Sequence, residues 1–266
     1  MINDARYHRQ RILAEVGQAG QDRLERGSVA IVGLGGLGSP VALYLAAAGV
    51  GRLGLIDDQR VEPSNLNRQI LYEDGDLGRP KVEAAANRLR NLDATLRLDV
   101  HQESVRSANI AEVFGAYDLV VDGTDSFETK FLLNDAAVLL HKPLVHGAVL
   151  QWGGQVTTII PDGPCLRCLF AEPPDPGDVL SCEEAGIMGA ATGVIGSVQA
   201  EEALKLLLEV GSPLSGRIFQ HDGLNGEARI TTYPRDPECL VCSPRARIVD
   251  LSHYDEQVSP RGHVLV

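Results

Sequence analysis

The sequence predicts a doubly wound α/β fold with a Rossmann-like, mostly parallel sheet continued by antiparallel strands. Three observations predict it. The apolar run SVAIVG at 28–33 stops at a glycine-rich turn and passes into an apolar helix, GLGGLGSPVALYLAAAGV; a short continuous apolar run suits a parallel strand buried on both faces. Strand-like and helix-like segments then alternate, as crossover units around a parallel sheet require. After Trp152 the alternation stops, and QVTTIIP reads as a strand with no helix before it, which an antiparallel continuation explains.

In chain order, Ile12, Leu13, Val16, Ala19 and Leu24 recur among charges over 8–26, predicting an amphipathic helix or two short ones broken near Gly17 and Gly20. RLGLID at 52–57 is the second strand, and a helix follows from about Pro80 to Arg90. The strand TLRLDV, a helix near 107–114, the strand YDLVVD, a helix over 126–141 and the strand PLVHGA continue the pattern. Proline, glycine and acid dominate AEPPDPGDVLSCEEAG at 171–186, a long surface loop of the kind that is usually functional or disordered. A small-residue helix over about 187–210 and the strands GRIFQH and EARITTY complete the domain. The chain thus divides into a helical arm (1–27), one α/β domain (28–243) and a tail (244–266).

At 266 residues, one compact unit is expected. With 44% hydrophobic and 23% charged residues the composition is that of a soluble chain, and no segment reads as a membrane span. The amino terminus, MINDARYHRQRILAEV, lacks the apolar stretch of a secretory signal, which places the chain in the cytoplasm. A net charge of -12 with dispersed basic residues argues against nonspecific nucleic-acid binding.

Gly33, Gly35, Gly36 and Gly38 lie between strand and helix, and Asp57 ends the next strand, which is the spacing of a nucleotide fingerprint. There glycines let backbone N–H groups approach phosphate and the carboxylate takes a ribose hydroxyl; a merely tight turn is the plain alternative. The next segment shifts the expectation from NAD to ATP. Ser64-Asn65-Leu66-Asn67-Arg68-Gln69 brings a guanidinium just after the ribose strand, and Arg79-Pro80-Lys81 opens a helix with two cations. Cations at a helix N-terminus oppose its dipole at a cost of roughly a few tenths of a kcal/mol unless an anion sits there. A triphosphate matches such a clamp better than a dinucleotide does, although Lys81 on a solvated helix would also be ordinary. Asp122 and Asp125 follow the strand YDLVV at the carboxyl edge of the sheet, where either can hold magnesium on phosphates. Asp125 and Glu128 also have the spacing of a capping box.

Four of the five cysteines form two C-x-x-C pairs, Cys165/Cys168 and Cys239/Cys242, which is the ligand set of a closed structural zinc site in a reducing compartment. The fifth, Cys182, lies in the proline-rich loop beside Glu183 and Glu184, which discourage a thiolate, and just before a helix, which favours one.

Taken together, RYHRQ, GLGGLGSP, LIDDQRVEPSNLNRQ, GRPK, VVDGTD, the paired C-x-x-C motifs and TGVIGSVQAEEALK resemble the MoeB/ThiF/HesA family, the bacterial relatives of ubiquitin-activating enzymes. The resemblance covers about residues 6–243. It implies an enzyme that uses Mg-ATP (ATP, Mg2+ and a structural Zn2+) to adenylate the C-terminal glycine carboxylate of a ubiquitin-like sulfur-carrier protein ending in Gly-Gly, releasing pyrophosphate. By the same resemblance Gly36 approaches the phosphates and Asp57 holds the ribose. Asn65, Arg68 and Lys81 hold phosphates and orient the reaction, Asp125 governs magnesium, and Gly33, Gly35, Ser64 and Ser126 lie beside the nucleotide. Arg9 matches an arginine supplied across a homodimer interface; from the residues alone it reads as a surface side chain of the arm. Cys182 matches a cysteine that some relatives link to the carrier and others do not need. The sulfur would come from a separate donor such as a cysteine desulfurase or rhodanese. Ser126 and Asn67 depart from the usual residues, asparagine at the first and glutamine or histidine at the second. Carriers of the ThiS type for thiamin, the MoaD type for molybdopterin, and those serving tRNA or cysteine sulfur all remain open. Two alternatives stand beside this reading: an NAD-dependent oxidoreductase with a structural zinc, and a module that binds a ubiquitin-like protein without activating it.

Overall fold

The strands SVAIV (β1, Ser28–Val32) and RLGLI (β2, Arg52–Ile56) are parallel and in register from Ser28 opposite Arg52 to Val32 opposite Ile56. They belong to a computed structural model that describes residues 5–174 and 182–254, without the side chains of Cys182 and Glu183. One eight-stranded sheet runs β3-β2-β1-β4-β5-β6-β7-β8. Its other strands are β3 (Arg97–His101), β4 (Leu119–Asp122), β5 (Leu144–Leu150), β6 (Gly153–Ile159), β7 (Arg217–Asp222) and β8 (Glu227–Thr232). Pairing is parallel from β3 through β5 and antiparallel from β5 through β8, the change expected beyond Trp152.

Alternate residues of β1 enter opposite cores, because side chains along a strand point to opposite faces. Val29 and Ile31 join one cluster with Leu45, Leu55 and Ala200; Ala30 and Val32 join the other with Phe114, Leu133 and the paired cysteines Cys165 and Cys239. Helices therefore cover both faces, which is why β1 reads as a continuous apolar run. The covering helices are α3 (Gly38–Ala48), α4 (Lys81–Leu92), α5 (Ser107–Ala116), α6 (Phe127–Leu139) and α9 (Gly189–Leu208). Pro40 is accommodated in the first turn of α3, where no intrahelical N–H is needed. Left-handed Gly49 ends that helix, with Val50 N–H donating to Leu45 O at 3.1 Å.

The arm forms α1 (His8–Arg11) and α2 (Gly17–Arg26). The break falls ahead of Gly17, and Gly20 continues inside α2, so only one of the two suspected glycine breaks marks a boundary. Short helices α7 (Leu166–Leu169) and α8 (Cys182–Ala185) flank the long loop, whose residues 175–181 lie outside the described part, as do 255–266. In the stretch expected to be a tail, most described residues are exposed, Ile248 and Leu251 pack in part against the core, and Tyr254 is buried, its hydroxyl donating to buried Asp135 at 2.8 Å. Among the described residues no helix is long and apolar enough to cross a membrane.

Candidate functional site

Chain order reverses between β1 and β4: β2 and β3 extend the sheet on one side of β1, and β4 and β5 on the other. Open α/β sheets hold ligands in the crevice at such a switch point, beyond the carboxyl ends of the strands. Val32 pairs with both Ile56 and Asp122, so the segments beginning at Gly33, Asp57 and Gly123 leave the sheet at one level.

Close packing of two of these segments requires glycine. Gly33 has φ +85°, and a Cβ there would lie 2.8 Å from the Gly123 backbone; a Cβ on Gly38 would lie 2.0 Å from Gly33 O. Gly35 is different, since a Cβ there would meet nothing nearer than Gln69 Nε2 at 3.6 Å, and a Cβ on Gly36 would touch the Thr192 side chain at 3.0 Å. Asp57 braces the turn: Oδ2 accepts from Leu34 N–H at 2.8 Å and Oδ1 from Gln59 N–H at 2.8 Å. Tyr72 Oη donates to Leu34 O at 2.9 Å. The turn therefore stands preformed, with its carboxylate on the rim.

The SNLNRQ segment contributes a short 3-10 turn, Pro63–Asn65, in which buried Asn65 Oδ1 accepts from Glu62 N–H at 3.1 Å and Nδ2 donates to the exposed Ser64 Oγ at 3.4 Å. Arg68 is half-buried, its guanidinium donating to Ser64 O at 2.7 Å and Asn67 Oδ1 at 3.0 Å. A Cβ on Gly189, at the start of α9, would lie 3.3 Å from Arg68 Cα, so this segment and α9 meet beside the glycine turn. Lys81 opens α4 as expected, yet it is buried rather than solvated, and its Nζ donates to Gln59 Oε1 at 2.7 Å. Asp57, Gln59 and Lys81 thus form one connected rim.

Two expectations about the acidic segment change. Asp122 does not face the crevice: it is fully buried, accepting from Lys130 Nζ at 3.1 Å, His146 Nδ1 at 2.8 Å, and Thr124 N–H and Oγ1 at 3.0 and 2.7 Å. With its oxygens so occupied it is a structural hub and not a magnesium ligand. Burial alone would raise its carboxyl pKa, but the Lys130 ammonium and the bonds from His146 and Thr124 outweigh burial and hold it well below the usual carboxylate range. Burial pushes His146 below its ordinary 6.5, so a neutral ring donates Nδ1–H to the ionised carboxylate. Nor do Asp125 and Glu128 form a capping box, because Ser126 is the N-cap of α6, its Oγ accepting from Thr129 N–H at 3.3 Å. Asp125 is left exposed in the segment that follows β4.

Arg9 is not brought to this crevice within one chain. Its neighbour Gln10 donates to Ala48 O at 2.9 Å, fixing the arm at the far end of α3 from the glycine turn, about 16 Å away at 1.5 Å per helical residue. The side chain of Cys182 lies outside the described residues.

The two cysteine pairs converge as their spacing implies. Cys165 Sγ is 3.6 Å from Cys239 Sγ, Cys168 Sγ is 3.4 Å from Cys242 Sγ, and all four sulfurs lie within 4.8 Å of one another. A tetrahedral zinc with Zn–S bonds of about 2.3 Å sets its sulfurs about 3.8 Å apart, so the cluster fits that ion with no position left for substrate.

Residues 7–241 match the ThiF family. The chain belongs to the ThiF family. Curated relatives cover nearly its full length. A sulfur carrier protein adenylyltransferase of Thermus thermophilus is 49% identical over 94% of both chains, and a SAMP-activating enzyme E1 of Haloferax volcanii is 46% identical over 89% of this chain and 88% of that one. An adenylyltransferase and sulfurtransferase MOCS3 of Aedes aegypti is 45% identical over 97% of this chain, which spans 60% of that longer protein. Among solved structures, the ThiF-family fold recurs in E. coli MccB crystallised with SeMet MccA, at a TM-score of 0.79 and 20% identity, over 89% of this chain and 74% of that one.

The residues least legible from sequence are Lys130, His146 and Gln199. Gln199 Nε2 donates to Asp122 O at 2.7 Å from the middle of α9. FETKFLL, LVHG and the small-residue helix carry Lys130, His146 and Gln199 respectively, each a polar group next to apolar residues, and that pattern is the available signal for a buried network.

Proposed function

We propose that this protein is an ATP-dependent adenylyltransferase of a ubiquitin-like sulfur-carrier protein ending in Gly-Gly. The observation that carries the proposal is the preformed glycine turn with Asp57 on its rim, at the switch point of a ThiF-family sheet, in a chain 49% identical to a sulfur carrier protein adenylyltransferase. In the reaction an oxygen of the carrier's terminal glycine carboxylate attacks the α-phosphorus of ATP. An acyl phosphate bond forms, the bond to the β-phosphate oxygen breaks, and pyrophosphate leaves.

Each rim residue has a part matched to its chemistry. Gly35 and Gly36 let the turn's backbone N–H groups approach phosphate, with Gly33 fixing the turn. Asp57 exchanges its Leu34 or Gln59 bond for a ribose hydroxyl. Arg68 and Lys81 neutralise charge on the transferring phosphates, the main source of acceleration in phosphoryl chemistry, and Asn65 and Ser64 donate hydrogen bonds that orient them. Asp125, with Ser126 beside it, would hold a magnesium ion, which would shield the charge of the triphosphate. Arg9 serves the partner subunit of a homodimer, a role favoured by its exposure and its distance from its own turn. The four cysteines hold zinc for structure. Cys182 is assigned an optional covalent role with the carrier, and a separate donor supplies the sulfur. The chain acts in the cytoplasm.

The relatives' printed names, which are those of adenylyltransferases and an activating enzyme, favour nucleotidyl transfer over the oxidoreductase and the passive binding module. The test is carrier-dependent exchange of labelled pyrophosphate into ATP, with each candidate carrier run beside a version lacking its last glycine. Exchange with one intact carrier supports the proposal and identifies the pathway; bound ATP with no exchange for any carrier supports the binding module.

A further inference from the structure

Lys130 is 5% exposed, yet its ammonium meets three acceptors from three places. Nζ lies 3.1 Å from Asp122 Oδ2 at the end of β4, 2.7 Å from Thr124 O in the segment beyond it, and 2.7 Å from Gly147 O in β5. These use all three ammonium donors. The same residue's backbone N–H donates to Ser126 O at 3.0 Å, closing the first turn of α6. Asp125 is therefore bracketed: the carbonyl before it is held by the Lys130 side chain, and the residue after it by the Lys130 main chain and the Thr129 N–H bond.

Burying an ion pair is a poor route to stability, because desolvation offsets most of the attraction and apolar side chains of similar size commonly serve a core as well. What the pair supplies here is position. Asp122, held also by His146 and Thr124, fixes the ammonium, and the ammonium fixes the Thr124 carbonyl one residue from the exposed carboxylate. We propose that Lys130 is a positioning residue of the nucleotide site, setting the place of Asp125 and through it the strength with which a divalent cation is held on bound ATP. The inference rests on the adenylyltransferase reading in taking ATP as the ligand and Asp125 as the carboxylate that holds magnesium, and Lys130 itself touches no substrate.

The experiment measures ATP affinity by calorimetry, with magnesium and with EDTA, together with amide exchange at 123–125 in the ligand-free protein. Two variants are needed. Lys130→Arg keeps the charge but spreads it over a longer planar fork in place of one atom on which the three acceptors converge, and the double variant D122N/K130M leaves no unpaired buried charge to unfold the domain. The expected result, in whichever variant is folded, is faster exchange at 123–125 and a roughly 10- to 100-fold rise in the magnesium concentration needed for half-maximal tightening, the usual cost of disturbing a residue behind a metal ligand. ATP affinity in EDTA stays within about threefold, or about 0.7 kcal/mol, because the Lys130 ammonium bonds only protein groups and no nucleotide contact is removed. A magnesium requirement equal to wild type in either folded variant overturns the inference, as does a wild-type protein whose ATP affinity is indifferent to magnesium. Failure of pyrophosphate exchange with magnesium-dependent ATP binding intact would count against the adenylyltransferase reading alone.

Discussion

Replacing Gly38 and Gly35 separately by alanine distinguishes what the turn needs to fold from what it needs to bind. At Gly38 the new Cβ would sit 2.0 Å from Gly33 O, against about 3.3 Å for a close C···O approach. Both atoms belong to main chain locked into adjoining elements, so neither rotates away as a side-chain tip would. Overpacking typically costs about 1–3 kcal/mol, and a clash between two backbones belongs at the upper end, which corresponds to a fall in Tm of about 6–12 °C for a chain of this size. Gly35 is not among the glycines with positive φ, and its Cβ would have 3.6 Å of clearance. There alanine should raise stability by about 0.4–1 kcal/mol by restricting the unfolded chain. It would nevertheless occupy the space through which the backbone approaches phosphate, and ATP affinity should fall by at least about tenfold, or 1.4 kcal/mol. Thermal unfolding and calorimetric titration with ATP read the two effects. Wild-type stability for Gly38→Ala, or wild-type ATP affinity for Gly35→Ala, would refute the reasoning.

His146 predicts a pH dependence. Because its folded pKa lies below the ordinary 6.5, the unfolded state binds the extra proton, and stability falls as pH drops through and below that value, by at most about 1.4 kcal/mol per pH unit. Thermal melts between pH 7.5 and 5 should show this slope in wild type and lose it in His146→Gln; an unchanged slope would mean the ring is not held neutral. Cys239→Ser should abolish stoichiometric zinc, read by elemental analysis, and lower Tm; retention of one zinc per chain would displace the four-cysteine assignment. Tyr254→Phe deletes a hydrogen bond to the buried Asp135 carboxylate and should cost about 1.5–3 kcal/mol in denaturant unfolding. No loss there would return residues up to 254 to the status of a tail.

Apolar runs and glycine spacing announced the sheet because parallel strands buried on both faces leave little room for other residues, and the two C-x-x-C pairs announced their own meeting place. Asp122 was harder. Within VVDGTD only Thr124 binds the first carboxylate; the two other groups that hold it inward stand at position 130, on α6, and position 146, on β5, and the packing of that helix and the β4–β5 register bring them there. The Asp125 capping box failed for a local reason: Ser126, one residue later, is itself a good N-cap, and helix boundaries are uncertain by that much from sequence. Arg9 could be placed on an amphipathic arm, but where the arm docks depends on Gln10 and Tyr7 finding Ala48 and Asp93, contacts that no periodicity encodes.

The cysteine knuckles also bear on how the chain folds. Each cross-pair joins residues 74 apart in sequence, and the span between the knuckles contains α9, β7 and β8. Closing a flexible loop of that length costs about 4 kcal/mol of chain entropy, a debt that metal capture settles once for everything inside the loop. Zinc-loaded chains should consequently refold the carboxyl-terminal hairpin together with the helix that lines the nucleotide crevice. Chains stripped of metal should expose the hairpin first to protease, ahead of the amino-terminal half of the sheet.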